Sequence, residues 1–191
     1  MSKLMELKKH LKRGQVYRRI DLTKWSKSVD RHLDELLEDG TLQKLSHGLY
    51  YYPKVTVFGV APPDEDQLVR SFLNDDRFLL TSPNAYNSLG VGTTQLYNTR
   101  IVYNHKRHGE FKLGNRVFNF KMKPHFPKQL TTEFLLVDLV NNLDTLAEDK
   151  HLIMDNVLAK AKVMDVEKLS KSVSQYGTIK AKKVFASVSS T

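Results

Sequence analysis

The sequence predicts an α+β fold in two parts, and three observations lead to this prediction. The first 54 residues alternate short helical patterns with short strand patterns around Gly40 and Gly48. Residues 55–66 contain one glycine, two prolines and an acidic cluster, which is typical of a linker. Residues 67–191 place strand patterns before a run of helical ones. We therefore expect a first domain at 1–54, a linker at 55–66, and a mixed α+β domain at 67–191 with a small antiparallel sheet and a helical C-terminal end.

The first domain opens with two helices. Leucines recur at helical spacing near the N-terminus, and Gly14 is placed to end the helix that they predict. Asp21 is expected to cap a short helix over 22–25, because its carboxylate can accept a backbone N–H. Ser26 or Ser28 can cap the next helix in the same way.

The third helix has charges placed against its own stability. Its apolar stripe, about 100° wide, is formed by Val29, Leu33, Leu36 and Leu37. Its cationic start is formed by Lys24, Lys27 and Arg31, and four acidic residues crowd its end. Each placement opposes the helix macrodipole and lowers the stability of the helix by about 0.3 kcal/mol or more. An arrangement that stability disfavours indicates an external partner, and an anion at the helix N-terminus is the natural one.

Two strands follow this helix and complete a recognisable pattern. They are predicted at 41–45 and 49–52, on either side of a bend at 46–48, and Pro53 stops the second strand. Two helices joined by a turn and followed by a hairpin predict a winged helix-turn-helix. In such a module the second helix of the turn lies in the DNA major groove, where its early residues reach base edges.

The predicted module has side chains suited to DNA. Lys27, Ser28 and Arg31 are candidates for reading base edges, since Arg donates twice to guanine and Lys and Ser reach bases or phosphates. The candidate contacts to the DNA backbone, from the turn and the wing, are Lys24, Lys44, His47 and Tyr50. The alternative is a module that is structural or binds protein, because fold alone does not decide function.

Composition narrows the class of protein. The net charge is +9, with +5 in residues 1–54, +4 in 55–128 and zero in 129–191, which favours nucleic acid but also suits acidic protein or membrane surfaces. No run approaches the ~20 apolar residues of a transmembrane helix, and no apolar segment of a secretory signal follows the N-terminus. The absence of cysteine excludes disulfides, thiolate metal sites and a cysteine nucleophile. We expect a cytoplasmic, bacterial protein without a membrane partner.

The second domain is predicted to hold four strands and several helices. Short patterns predict a helix at 66–74, a strand at 78–81 and a small helix at 84–89. Three strands should then fill 93–124, linked by a turn at 105–109 and a two-residue hairpin at 114–115. The helical part is predicted from 131, with a broadly apolar first helix, further helices at 152–163, 166–173 and 179–185, and a frayed end at 187–191.

Catalytic patterns are weak. Pro63-Asp64 followed by Glu110-Phe111-Lys112 resembles a nuclease metal site, but three-residue matches arise often by chance. His105 and His108 flank a basic turn that could bind phosphate, although a solvated hairpin tip is the commoner explanation. The sequence has no nucleophile elbow and no phosphate-binding P-loop. We therefore expect no enzymatic activity, no cofactor and no metal.

Two segments resemble a known family. The first, VDRHLDELLEDGTLQKLSHGLYYYPK, resembles the winged-helix module of AbiE-type antitoxins of type IV toxin–antitoxin systems, and its best motif runs from Gly48-Leu49-Tyr50 to Pro53. The second, SPNAYNSLGVGTTQLYNTRIVYN, looks like the second domain of those antitoxins. The likeness covers about residues 15–145; the helical end from residue 149 has no match.

The resemblance implies a function. It implies an autorepressor that binds double-stranded DNA at inverted repeats in its own promoter and an antitoxin that opposes a nucleotidyltransferase-like toxin. Type IV antitoxins generally oppose the toxin's effect without a tight complex, so direct contact with the toxin is not implied. The alternative is a winged-helix transcriptional regulator whose C-terminal domain senses a ligand or partner, with no toxin involved.

Overall fold

The computed structural model describes residues 3–188 and has an α+β fold. The chain divides into two compact units, which we call unit 1 (Met1–Asp76 and Phe111–Val117) and unit 2 (Arg77–Glu110 and Phe118–Thr191). Within residues 3–188, no helix combines the length and apolar character needed to cross a membrane. Of the end predicted to fray, residues 189–191 lie outside the described residues.

Unit 1 contains short helices interspersed with short strands, and strands β1 to β5 form two small antiparallel sheets. Its helices are α1 (Lys3–His10), α2 (Arg19–Leu22), α3 (Val29–Glu38) and α4 (Glu65–Leu73). Its strands are β1 (Val16–Arg18), β2 (Gln43–Ser46), β3 (Leu49–Tyr51), β4 (Lys54–Thr56) and β5 (Gly59–Ala61).

The apolar stripe predicted for the third helix is confirmed on α3. Val29, Leu33 and Leu36 are buried, and Leu37 is half-buried against the same core. Leucines of α1 and Leu22 complete this core. The stripe also contains His32, which is buried and which the sequence pattern did not single out. Burial of this ring is tolerated because its Nδ1 lies 2.8 Å from the hydroxyl of Ser26.

The short helix before α3 differs from its prediction. It was expected at 22–25 with Asp21 as its cap, whereas α2 spans Arg19–Leu22 and contains Asp21. The reason is a competing partner: Nε and Nη2 of Arg18 each donate to the Asp21 carboxylate at 2.7 Å. This guanidinium also lowers the pKa of Asp21. The carboxylate therefore binds a side chain instead of the backbone at a helix start.

The three-stranded sheet of unit 1 has the order β1-β3-β2, with antiparallel pairs throughout. The hairpin β2–β3 agrees with the predicted pair of strands, and Gly48 takes a φ of +70° in the bend between them. Strand β1 was not predicted. It has only three residues, too few for an alternating pattern to be visible.

The segment 55–66, predicted as a linker, is mostly structured. It holds the hairpin β4–β5 and the start of α4, and Tyr51 Oη donates to the carbonyl of Ala61 at 2.8 Å. At the hairpin turn, Val57 and Phe58 are 94% and 97% exposed. The chain divides after Asp76 instead, with Phe111–Val117 counted in unit 1.

Unit 2 is built from one sheet and a helical C-terminal part. The strands are β6 (Phe78–Thr81), β7 (Arg100–Asn104), β8 (Gly109–Leu113) and β9 (Arg116–Met122), of which β8 and β9 continue into the unit 1 segment. The α-helices are α5 (Thr132–Asn142), α6 (Lys150–Ala161), α7 (Val166–Tyr176) and α8 (Ile179–Ala186). Two 3₁₀ helices, Pro83–Leu89 and Leu143–Thr145, complete the unit.

The sheet order is β6-β7-β9-β8, and this corrects the prediction of an antiparallel sheet. β6 pairs antiparallel with β7, but β7 pairs parallel with β9, from Arg100 opposite Phe118 to Asn104 opposite Met122. The link at 105–109 therefore does not join neighbouring strands. β9 takes the inner position because Phe118 and Phe120 are fully buried, whereas the shorter, more polar β8 suits an edge.

Helix α5 is buried on nearly all sides, as its apolar sequence predicted. It also carries a buried acidic side chain: Asp138 is 3% exposed. The hydroxyl groups of Tyr86 and Tyr103 each donate to one carboxylate oxygen of Asp138 at 2.6 Å. Asn142 donates to both hydroxyl oxygens at 3.2 Å and accepts from Lys121 Nζ at 2.6 Å. This Asp138 network links α5, the first 3₁₀ helix and two strands of the sheet.

Candidate nucleic-acid interface

Six of the seven predicted DNA contacts are exposed on unit 1. They are Lys24, Lys27, Ser28, Arg31, Lys44 and His47. The first four lie at or before the first turn of α3, and we call residues 24–31 the tip. Lys44 and His47 lie on β2 and on the bend to β3. The chain therefore brings the predicted residues together in two short segments.

Tyr50 is the exception. Its side chain is only 8% exposed and packs in the core of unit 1. Burial raises the pKa of its hydroxyl, and the nearby carboxylates of Asp30 and Asp34 raise it further. A ring in this position does not suit a phosphate contact, so Tyr50 is excluded from the candidate interface.

The start of α3 is shaped by Ser26 instead of by a side-chain cap. Ser28 occupies the N-cap position but its hydroxyl makes no capping hydrogen bond. Its backbone N–H donates to Oγ of Ser26 at 3.2 Å, and that oxygen also pairs with His32. The Ser28 hydroxyl thus stays on the surface, beside the positive end of the helix dipole.

Cations at the tip are weakly held. Arg31 has a 70% exposed side chain, and its Nε lies 3.6 Å from Oε1 of Glu35, one turn later. Lys27 is exposed and makes no ion pair with any other residue of the range 3–188. Exposed pairs of this kind contribute about 0–1 kcal/mol, so both side chains can reorganise toward a ligand at little cost.

Arg19 removes an unfavourable charge from the tip. Its Nε and Nη2 both donate to the carboxylate of Asp30 at 2.6 Å. The guanidinium lowers the pKa of Asp30, which is exposed in the first turn of α3. Sequence reasoning missed this role, because the partners are eleven residues apart and no local spacing rule connects them.

The remainder of the exposed face of α3 is acidic. Beyond Arg31 it presents Asp34, Glu35 and Glu38, and only Glu35 lies beside a cation of the helix. Asp39, after the helix end, is held by Lys8 Nζ at 2.7 Å. Since these carboxylates repel phosphate, a polyanion is favoured at the first turn of α3 and disfavoured along its length.

Asp64 of the nuclease-like pattern has a structural role that needs no metal. Asp64 is the N-cap of α4, and its carboxylate accepts from the backbone N–H of Gln67 at 2.8 Å. Glu110 is exposed at the start of β8 in the other unit. Across residues 3–188, no group of three or more His, Asp and Glu side chains could hold a metal ion.

Comparisons with known proteins define the family and the fold. A family model described as a family of unknown function (DUF6088) matches residues 3–172, so the chain belongs to that family. The curated proteins contain no match. Among solved structures, the chain is similar to the RV2827C protein from Mycobacterium tuberculosis, with a TM-score of 0.57 and 18% sequence identity over 97% of this chain and 74% of that chain. At this identity the similarity concerns the fold alone.

Proposed function

We propose that this DUF6088 protein is a DNA-binding autorepressor whose unit 1 is a winged helix-turn-helix. The observation that carries the proposal is the arrangement of its first six elements. The order α1-β1-α2-α3-β2-β3, with a sheet ordered β1-β3-β2, supports a helix-turn-helix followed by a wing. In this arrangement α3 is the recognition helix and the bend between β2 and β3 is the wing.

The charges favour shallow entry of α3 into the groove. The tip offers Lys27, Ser28 and Arg31 to base edges, and Arg is suited to guanine through two parallel hydrogen bonds. The acidic side chains further along the helix disfavour deeper insertion. Lys24, Lys44 and His47 would contact the phosphates on either side, which fixes orientation without reading sequence.

Binding to the DNA upstream of its own gene tests this assignment. The double variant Lys27→Ala/Arg31→Ala should bind this duplex more weakly and with less sequence preference, by about 1–3 kcal/mol per base-reading residue. Lys44→Ala should instead weaken all duplexes alike and reduce the salt slope by about 1.

A matched control removes the same charge elsewhere. Lys12 and Lys54 are exposed on unit 1, near the end of β3 opposite the wing bend. The variant Lys12→Ala/Lys54→Ala should keep nearly full affinity and full sequence preference. Equal losses in both double variants would mean that only net charge matters, and unchanged affinity of the tip variant would refute the groove assignment.

We further propose the antitoxin role that the resemblance implies, opposing a nucleotidyltransferase-like toxin. A gene for such a toxin next to this one would support the role. Co-expression should then restore growth of cells that produce the toxin. Growth that stays arrested, with antitoxin present at normal levels, would remove this part of the proposal and leave the repressor part standing.

A second candidate function is a regulator whose unit 2 senses a ligand, with no toxin involved. It is favoured by a mainly apolar cavity of about 450 Å³ beside α7 and α8, with Leu169, Val173 and Phe185 in its lining. This volume suits a small organic molecule. A ligand that raises the melting temperature and changes DNA affinity, in a genome without a neighbouring toxin gene, would favour this function over the first.

A further inference from the structure

Unit 2 carries a concentration of positive charge that the DNA-binding tip does not use. The segment 105–108 reads HKRH and the segment 121–128 reads KMKPHFPK. These 12 residues contain five Lys or Arg, three His and no Asp or Glu. Lys121 donates to Asn142 within the unit and Lys123 is half-buried, so the exposed cations are Lys106, Arg107 and Lys128. We call the two loops at 105–108 and 123–128 the basic loops.

The sheet topology brings the basic loops to one place. β7 and β9 are parallel neighbours, and Asn104 at the end of β7 lies opposite Met122 at the end of β9. The chain leaves both strands at the same edge of the sheet, so the loops that follow start side by side. The pairing continues past the strands, because the N–H of Lys123 donates to the carbonyl of Asn104 at 2.9 Å.

A buried side chain holds the first basic loop in shape. Asn104 is 1% exposed, and its Oδ1 accepts from the backbone N–H groups of Lys106 and Arg107 at 2.8 and 2.6 Å. Its Nδ2 donates to the carbonyl of Arg107 at 3.0 Å. All four residues of the loop are exposed. These hydrogen bonds therefore fix the loop as a turn and hold its cations at the surface.

The basic loops also carry a stacked aromatic pair. The rings of His105 and Phe126 lie with centroids 4.7 Å apart and planes 29° apart. Phe126 is half-buried against the core formed with Tyr103 and Phe134, whereas His105 is exposed. Phe126 thus fixes the imidazole ring from below and leaves its outer face open. A cavity of about 570 Å³ adjoins this pair, lined by His125 and by the end of α7.

We propose that the basic loops bind single-stranded nucleic acid. Cations that follow a backbone, combined with a ring on which a base can stack, are the two components of single-strand recognition. A base in a duplex keeps its faces covered by its neighbours, so the open face of His105 selects an unpaired base. The exposed cations at 106, 107 and 128 attract the phosphates on either side.

Fluorescence anisotropy with labelled oligonucleotides of about 12 nucleotides tests the proposal, using poly-dT, poly-U and a duplex of the same length. Lys106→Ala/Arg107→Ala in the full chain should weaken single-strand binding at least ~10-fold and flatten the salt slope by about 1.4, since each phosphate contact contributes about 0.7. His105→Ala should weaken it at least ~5-fold, the fold-change that corresponds to about 1 kcal/mol of stacking.

Two comparisons keep this site distinct from the tip of α3. Lys162→Ala/Lys168→Ala removes two exposed charges of unit 2 that lie outside the basic loops and should change single-strand affinity less than ~2-fold. Lys27→Ala/Arg31→Ala should lose duplex binding and keep single-strand binding. If Lys27→Ala/Arg31→Ala keeps duplex binding while the other variants behave as expected, the proposed duplex function is refuted and the basic-loop site stands.

Three results would overturn the proposal. If Lys106→Ala/Arg107→Ala and Lys162→Ala/Lys168→Ala weaken single-strand binding equally, binding responds to net charge alone. Full single-strand affinity in His105→Ala would remove the stacking role. Vesicles of phosphatidylserine that compete away the wild-type oligonucleotide, with the same dependence on positions 106 and 107, would assign the basic loops to an anionic membrane surface.

Discussion

Removal of the Tyr103 hydroxyl group should strongly destabilise unit 2, because this single oxygen donates to the buried carboxyl group of Asp138. In the Asp138 network this hydroxyl donates to a carboxylate that is 3% exposed, over 2.6 Å. A hydrogen bond to a charged group contributes about 1.5–3 kcal/mol, because a buried acceptor left without its donor costs its desolvation free energy. We therefore expect Tyr103→Phe to lower the free energy of unfolding by about 1.5–3 kcal/mol, a large share of a total of about 5–15 kcal/mol.

Tyr176→Phe is the matched control. It removes the same atom from a half-buried ring that packs edge-on against Phe134, and the Tyr176 hydroxyl makes no hydrogen bond to another residue of 3–188. Urea unfolding should give midpoints that differ by on the order of 1 M between the two variants. Hydrogen exchange should show the loss of protection in β7 and α5. Equal stability of the two variants would refute the idea that the Asp138 network holds this core together.

The penalty should also depend on pH. Burial raises the pKa of Asp138 above 3.8, and the hydroxyl groups of Tyr103 and Tyr86 oppose this shift. Because the folded pKa exceeds the unfolded one, the associated stability is present below the unfolded pKa and is lost as pH rises through the folded pKa. Loss of one donor raises the folded pKa further. The Tyr103→Phe penalty should therefore be small near the unfolded pKa and grow as the carboxyl ionises; a constant penalty would contradict this.

Three further outcomes are expected from unit 1. Leu36→Ala should lower the free energy of unfolding by about 2–5 kcal/mol in urea titrations, because Leu36 is fully buried at the centre of the α3 stripe. Asp64→Ala should cost about 0.5–2 kcal/mol in the same assay through loss of the cap on Gln67, and no change would contradict the cap. Hydrogen bonds from Lys8 and from Thr41 lower the pKa of Asp39 to about 2, so the stability that this shift contributes is present above the unfolded pKa and is lost as pH falls toward 2. In Lys8→Ala the Asp39 carboxyl should titrate nearer 3.8 by NMR, because the first of these donors is lost.

Local patterns predicted the elements that depend on local physics. The stripe of α3, the hairpin β2–β3 and the apolar helix α5 all lie where the sequence placed them, within a few residues. Each rests on a period or a turn signal contained in about ten residues. The exposure of the tip could be predicted for the same reason, since Lys27 and Arg31 lie opposite the apolar stripe.

Non-local pairing could not be predicted in the same way. The parallel contact of β7 with β9 depends on competition between two strands for the inner place in a sheet, which no local signal encodes. The pairing of Arg19 with Asp30 joins side chains eleven residues apart and depends on their geometry after folding. Asp138 reads as a polar interruption in an apolar helix, and its partners come from positions 35 and 52 residues away.

Amide chemical-shift mapping of the full chain with the duplex from upstream of its gene shows which residues of unit 1 contact DNA. The largest shifts should fall on residues 24–31 and 44–47 of unit 1, with little change along the acidic half of α3. Saturating duplex that leaves both segments unshifted, while resonances elsewhere respond, would contradict the groove assignment.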